Sequence, residues 1–222
     1  LQAEGVRAIP LPPRAGPDSC GDGTGGRDPG GSPALVRART LENLAQESQG
    51  CTLCTLCEER TQVVFGVGNP DARLMFIGEG PGRDEDLQGE PFVGAAGRLL
   101  NKIIAVMGLR REDVYIANTV KCRPPRNRNP EPGELAACRP YLLEQVKLVA
   151  PELIVILGRV AMQAILDTDA PLGRMRGRLH DWDGIPVVCT YHPAYLLRKP
   201  ADKGKTWHDM QAVMERLGLP RP

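Results

Sequence analysis

The sequence predicts an α/β fold with three layers (α/β/α), in which helices cover both faces of a central, mainly parallel four-stranded sheet. Four apolar runs are nearly continuous rather than alternating, as is typical of strands that are buried on both faces. Helical stretches separate these runs, and strands that alternate with helices indicate a parallel sheet. The chain has 222 residues, enough to bury one core, so we expect one folded domain.

The predicted elements begin after a long polar segment. Residues 1–33 are rich in Gly, Pro, Asp and Arg and have no apolar period, so we interpret them as a disordered tail and assign residues 34–222 to the domain. A short amphipathic helix is predicted from Leu35, Leu41, Leu44 and Ala45. The strands are predicted at residues 73–78, 114–120, 153–158 and 186–190, and the longer helices at about 97–107, 134–149, 160–166 and 205–217.

Composition argues against several classes of protein. The formal net charge is +1, so a polyanion would have to bind local clusters of basic residues. No run approaches the roughly 18 apolar residues of a membrane helix. We find no secretory signal peptide, and a chain of this length with seven cysteines does not resemble a short disulfide-rich secreted domain. We therefore expect a cytoplasmic protein without a membrane partner, and we predict a monomer.

Four cysteines are spaced as the two halves of one metal site. Cys51 and Cys54 form a C-x2-C pair, whereas fifteen residues separate Cys122 from Cys138. Four thiolates hold either an iron–sulfur cluster or a zinc ion, and structural zinc sites commonly use two tight pairs. The split second half therefore favours a cubane cluster and leaves zinc as an alternative.

The other three cysteines are weaker candidates. Cys57 forms a second C-x2-C pair with Cys54, so its role as a ligand stays open. Cys189 lies within a predicted strand, where a thiol behaves as a small apolar side chain. Cys20 lies in the predicted tail, and we interpret it as a bystander.

Polar residues follow three of the four predicted strands at their carboxyl ends, where ligands bind in open α/β sheets. Glu79 and Gly80 follow the first strand, Asn118 belongs to the end of the second, and His192 follows the fourth. The glycine-rich loop at residues 78–82 contains a proline and lacks the Lys-Ser/Thr ending of a phosphate-binding Walker loop. An enzyme that binds a nucleotide phosphate there is therefore a weaker alternative.

Three motifs resemble those of the family 4 uracil-DNA glycosylases. The first comprises GEGPG at residues 78–82 and GEPFVG at 89–94, the second is NTVKCRPP at 118–125, and the third is HPAYLLR at 192–198. The likeness extends from about residue 41 to about residue 200, with the motifs in the same order. It implies that Cys51, Cys54, Cys122 and Cys138 bind a [4Fe–4S] cluster, and that the partner is uracil-containing DNA.

The resemblance also implies a monofunctional glycosylase, which hydrolyses the N-glycosidic bond of a flipped-out deoxyuridine and leaves an abasic site. Phe92 would stack on the base, and the amide of Asn118 would pair with uracil N3–H and O4. His192 would donate a hydrogen bond to O2 as negative charge develops there, with backbone N–H groups near Gly80 as further donors.

Two carboxylates are assigned less directly. The best-studied uracil-DNA glycosylases have an Asp at the position of Gly80. Glu79 is adjacent to this position, and it is the candidate for activating or positioning water. Glu85 is the candidate for shaping the pocket against the methyl group of thymine. The leading alternative to this whole reading is a non-catalytic or redox-sensing iron–sulfur protein that binds DNA on the same fold.

Basic residues near the second and third motifs predict the contacts with DNA phosphates. The expected contacts are Lys121, Arg123, Arg126, Arg128 and Arg198, with Arg174, Arg176, Arg178 and Lys199 as further candidates. Leu196 or its neighbour Leu197 would enter the gap left by the base as an apolar wedge, and the sequence does not separate the two.

Overall fold

The computed structural model describes residues 40–220, so the predicted tail and Cys20 lie outside the described residues. The helices in the described part are Leu41–Gln49 (α1), Arg83–Gln88 (α2), Ala95–Val106 (α3), Pro132–Val149 (α4), Arg159–Leu166 (α5), Leu172–Met175 (α6), Pro193–Arg198 (α7) and Lys203–Leu217 (α8). The strands are Val67–Gly68 (β1), Leu74–Gly78 (β2), Tyr115–Asn118 (β3), Leu153–Leu157 (β4), Leu179–Trp182 (β5) and Ile185–Thr190 (β6). No helix within these residues is long and apolar enough to cross a membrane.

The strands form one sheet in the order β1-β3-β2-β4-β6-β5. The inner four strands are parallel, and an antiparallel strand lies at each edge. The predicted α/β class is confirmed, but the predicted number of four strands is wrong, because the sheet is six-stranded and mixed. The apolar pattern missed β1 because it has only two residues, and it missed β5 because Leu-His-Asp-Trp is half polar.

Two apolar cores, one on each face of the sheet, follow from the alternation of side chains along β2. Met75 and Ile77 pack in one cluster with residues of α4 and α5, whereas Leu74 and Phe76 pack in another with residues of α3 and α8. All four side chains are buried. Burial on both faces explains why the inner strands appear in the sequence as continuous apolar runs.

A third, smaller core joins the cysteine-bearing segments to the sheet. It contains Leu44 of α1 and Val120, together with Cys122 and Cys138. The N–H of Val120 donates to the carbonyl oxygen of Glu79 at 3.2 Å. This core therefore places the cysteines beside the loop that follows β2.

Candidate active site and cysteine recess

A cavity of about 410 Å³ lies at the carboxyl ends of the parallel strands. Gly78 and Asn118 are direct partners in the pairing of β2 with β3, so the loops after these strands start at the same level of the sheet. The predicted site residues that line the cavity are Glu79, Gly80, Glu85, Phe92, Asn118, Arg128, His192 and Arg198. The structure thus brings residues of all three sequence motifs to one place.

Two glycines allow side chains to approach closely at the floor of the cavity. A Cβ atom on Gly78 would lie 2.5 Å from both Asn118 Oδ1 and Phe92 Cζ. At Gly158, where φ is +96°, a Cβ atom would lie 3.0 Å from His192 Cβ. Gly158 follows β4, the one predicted inner strand with no polar residue at its carboxyl end. This glycine leaves space for the side chain of His192.

Asn118 has a buried and unsatisfied side-chain oxygen. The residue is 2% exposed, and its Oδ1 accepts no hydrogen bond from any described residue. An unpaired buried acceptor costs about 1–3 kcal/mol, and most such groups in native proteins have a partner. Asn118, a residue that lines the cavity, therefore has an unused hydrogen-bond acceptor.

His192 precedes α7 and is held as a neutral hydrogen-bond donor. Its Nδ1 accepts the backbone N–H of Ala194 at 3.1 Å, so the proton of the neutral ring lies on Nε2. Burial, reinforced by Arg198 and opposed by Glu85, lowers the pKa of His192 to about 4. At neutral pH the ring is therefore uncharged and has one N–H left to donate.

Phe92 forms the apolar wall beside His192. The two ring centroids are 5.4 Å apart, with 32° between the ring planes. The residue is buried and has a φ of +54°, a left-handed conformation that is uncommon for a bulky side chain. Such conformations persist where the surrounding structure fixes them, and they are frequent at functional sites.

The two carboxylates of the cavity have different surroundings. Glu85 accepts hydrogen bonds from the backbone N–H groups of Gly82, Val93 and Gly94 at 2.9–3.1 Å. Burial raises the pKa of Glu79, and the positive charge of Arg159 opposes this effect. Glu85 is therefore part of the framework that fixes the loop of Phe92, and both residues line the cavity.

Lys121 departs from its predicted place on the DNA-binding surface. Its side chain is buried, and its amine donates to the carbonyl oxygen of Asn118 at 2.8 Å and to Gln145 Oε1. A buried amine that already has two acceptors does not contact phosphates. The basic run is thus divided between an internal lysine and surface arginines.

The arginines near the cavity differ in how far they are already engaged. Arg128 binds the buried carboxylate of Glu134 through two hydrogen bonds of 2.8 and 2.7 Å, and Arg123 Nε donates to Asn127 Oδ1 at 2.7 Å. Arg126 and Arg198 are exposed. Arg176, a further candidate for contacting DNA phosphates, instead forms an ion pair with the buried Asp209 at 2.7 Å, and this contact stabilises the fold.

The structure separates the two leucines of the third motif. Leu196 is 1% exposed, whereas Leu197 is 44% exposed. Leu196, one of the two predicted wedge residues, is therefore a core residue, because it lies on the inner side of α7. Leu197 is the leucine that remains at the surface.

Five cysteines line a recess beside the cavity: Cys51, Cys54, Cys57, Cys122 and Cys138. Burial, opposed by Lys121 and reinforced by the neighbouring Cys122 and Cys54, raises the pKa of Cys138 to about 11. Within residues 40–220, no three His, Cys, Asp or Glu side chains converge as ligands of a single metal ion. The recess thus brings together thiols from the segment after α1, from the segment after β3 and from α4.

Sequence reasoning missed two arginines that support these sites. Arg60 Nη1 donates to Cys122 Sγ at 3.2 Å. Arg111 donates to the carbonyl oxygens of Pro91 and Phe92. Neither contact has a local sequence signal, because the partners are about 20 or more residues away along the chain.

Comparison with known proteins agrees with this geometry. Residues 65–213 match the family model of the uracil DNA glycosylase superfamily. This chain therefore belongs to that superfamily, and the resemblance predicted from the three motifs is confirmed.

Several relatives within the superfamily are type-4 uracil-DNA glycosylases. The protein of this name from Archaeoglobus fulgidus is 42% identical over 191 residues, which cover 82% of this chain and 96% of the relative. The one from Thermotoga maritima is 46% identical over 170 residues, covering 76% and 88%. The one from Saccharolobus solfataricus is 42% identical over 186 residues, covering 80% and 86%.

Proposed function

We propose that this protein removes uracil from DNA by hydrolysing its N-glycosidic bond and leaving an abasic site. The observation that carries this proposal is the unsatisfied Oδ1 of Asn118, which is buried in a cavity that also contains Phe92 and His192. A base inside a duplex cannot reach such a cavity, so the nucleotide must be flipped out of the stack.

The amide of Asn118 distinguishes uracil from cytosine. Its Oδ1 accepts from uracil N3–H, and its Nδ2 donates to uracil O4. Cytosine presents an acceptor at N3 and a donor at N4, so both contacts would be repulsive or lost. Thymine has the same hydrogen-bonding edge as uracil, and we assign the exclusion of its methyl group to the loop that Glu85 fixes.

His192 stabilises the departing base. Breaking the glycosidic bond leaves negative charge on the uracil ring, and the Nε2–H of His192 donates to O2 where that charge develops. A fixed donor at the atom where charge develops contributes about 10²–10³-fold to the rate. Stacking on Phe92 holds the base in position for this step.

The cavity fits hydrolysis better than a lyase reaction. A lyase needs an amine to attack the sugar, and no lysine is among the described residues that line the cavity. The nearby amine of Lys121 is buried and has two acceptors. We therefore assign water as the nucleophile, with Glu79 as the carboxylate that positions it.

DNA would lie across the mouth of the cavity. Arg126 and Arg198 are exposed there, and their guanidinium groups fit phosphate contacts. Leu197 is the exposed apolar side chain on α7, and we assign it the wedge that fills the gap left by the base. These assignments replace Lys121 and Leu196, which are both buried.

The thiols of the recess fit a [4Fe–4S] cluster, and we infer that Cys51, Cys54, Cys122 and Cys138 hold it. The cluster would cross-link the segment after α1 to the segment after β3 and to α4. It has no part in the hydrolysis, because breaking the glycosidic bond is not a redox reaction. Arg60 places a positive charge against Cys122 and would stabilise that thiolate.

Cys57 provides a test of the ligand assignment, because it lines the same recess. We expect Cys138→Ser to abolish the visible absorbance of the cluster and to lower bound iron severely. Cys57→Ser is expected to leave both close to the wild-type values. Iron and sulfide content and the absorption spectrum measure this. Loss of the cluster in Cys57→Ser alone would reverse the assignment.

The first test of the function is a cleavage assay on end-labelled oligonucleotides that contain a single uracil, with thymine and cytosine as controls. We expect breaks at uracil only, and only after treatment with alkali, because a monofunctional glycosylase leaves the strand intact. Protein that contains iron and binds DNA but releases no uracil would refute the proposal and support the non-catalytic alternative.

A further inference from the structure

The loop at residues 89–94 holds Phe92 in a costly backbone conformation. Its φ is +54°, a left-handed conformation that is unfavourable for a residue other than glycine. The loop also presses against α3, where a Cβ atom on Gly97 would lie 1.8 Å from the carbonyl oxygen of Phe92. The position of the ring therefore depends on groups that hold the loop in place.

Arg111 holds the carbonyl side of this loop. Its Nη2 donates to the carbonyl oxygen of Pro91 at 2.5 Å, and its Nη1 donates to that of Phe92 at 3.3 Å. Nη1 also donates to Asn101 Oδ1 of α3 at 3.0 Å. These three acceptors are uncharged amide oxygens, two of them in the backbone of the loop, and hydrogen bonds from a charged donor are the stronger kind.

Glu85 holds the amide side of the same loop. Its carboxylate accepts the N–H groups of Val93 and Gly94 at 3.0 and 2.9 Å. The peptide groups around Phe92 thus have a cation at their carbonyl oxygens and an anion at their N–H groups. Arg111 and Glu85 therefore hold the loop by opposite ends of its peptide dipoles, the carbonyl oxygens and the N–H groups.

We infer that Arg111 is a positioning residue, which holds the carbonyl groups of Pro91 and Phe92 so that the Phe92 ring stays in the cavity wall. The inference rests on the proposed function for the identity of the base that stacks on the ring. Arg111 lies in the 3-10 turn Arg111–Asp113 before β3. It therefore links the stacking residue to the same strand that carries Asn118.

The neighbouring residue provides a matched control. Arg110 forms ion pairs with Glu112 at 3.2 Å and with Asp113 at 2.7 Å, and its side chain is 70% exposed. Its ionic partners thus lie in the turn itself and not in the loop of Phe92. Replacing Arg110 by Gln removes the same charge one residue away.

A double-mutant cycle tests whether Arg111 acts through Phe92. We expect Arg111→Gln to lower kcat/KM for uracil release by about 10–10²-fold, because small misplacements of a substrate-positioning group have effects of this size. We expect Arg110→Gln to stay within about twofold of the wild type. In a Phe92→Ala background, Arg111→Gln should cost less than about threefold, since there is no ring left to position.

Two results would overturn the inference: wild-type kcat/KM in Arg111→Gln, or the same loss with and without the Phe92 ring. Arg111→Lys serves as a second variant should Arg111→Gln fail to fold. It keeps the charge but not the fork that reaches two carbonyl groups, so most of the loss should remain.

Amide hydrogen exchange separates this inference from the proposed function. The N–H groups of Val93 and Gly94 are bound to Glu85, and we expect Arg111→Gln to accelerate their exchange by about tenfold or more through local opening. Arg110→Gln should not change it, and unchanged exchange in both variants would overturn the inference. Wild-type protein that releases no uracil would refute the proposed function, and the exchange result alone then decides whether Arg111 holds the loop.

Discussion

Replacing Asn118 by Ala is expected to lower kcat/KM for uracil release by about 10³-fold, while the affinity for DNA containing an abasic site stays within about threefold. The reason is the position of the amide at the end of β3, buried and with an oxygen that no described residue satisfies. The substitution removes both contacts that identify the base. It leaves the phosphate contacts in place, so binding to DNA should persist.

The measurement is single-turnover excision from an oligonucleotide that contains uracil, together with a binding titration on the abasic product. Asn69 provides a matched control, because its side chain accepts the N–H of Asp71 and its backbone N–H donates to the carbonyl oxygen of Val114, the residue before β3. Asn69→Ala should excise uracil at close to the wild-type rate. Near wild-type activity in Asn118→Ala would show that another group reads the base.

The sequence predicted the inner sheet because its strands are buried on both faces. The runs around Phe76 and Val155 are continuously apolar for that reason, and no polar residue interrupts them. β5 escaped prediction because an edge strand is only half covered: His180 and Asp181 lie within it. The pattern thus reports burial, and it detects strands only as far as they are buried.

Some of the site residues were predictable from the sequence, and others were not. Asn118 and His192 were predictable because they stand at strand ends, and the chain direction alone sends these ends to one edge of the sheet. Whether a nearby side chain points outward or inward is decided by its contacts. Lys121 turns inward because Gln145 of α4 accepts its amine, and its sequence context beside surface arginines contained no sign of that partner.

Contacts that the sequence does not reveal also explain why the burial of Leu196 and the role of Arg111 were not predicted. Two adjacent leucines on a short helix differ only in which one faces the core, and the six residues of α7 are too few to show a period. Arg111 binds carbonyl oxygens, which every residue has, so no partner is marked in the sequence. Contacts between side chains and backbone are therefore the part of a site that sequence patterns show least.

Replacing His192 by Ala is expected to lower kcat by about 10²–10³-fold with a smaller effect on KM, because the donor acts on charge that develops only in the transition state. The pH dependence identifies which form of the ring acts. Since the pKa of His192 in the free protein lies at about 4, protonation of this ring should leave wild-type kcat/KM unchanged from about pH 8 down to about pH 5. It should fall below that range, because a proton on Nδ1 breaks the contact with Ala194 N–H.

His208 is the matched control, since it is an exposed histidine on α8, and His208→Ala should retain the wild-type rate. The opposite pH behaviour would contradict the neutral-donor mechanism. If the charged imidazolium were the donor, kcat/KM would fall as pH rises through about 6.5, the ordinary pKa of histidine. The two mechanisms thus differ as pH rises through the ordinary pKa of histidine, where only the imidazolium mechanism predicts a loss, and the steady-state profile of wild-type protein distinguishes them there without any substitution at the site.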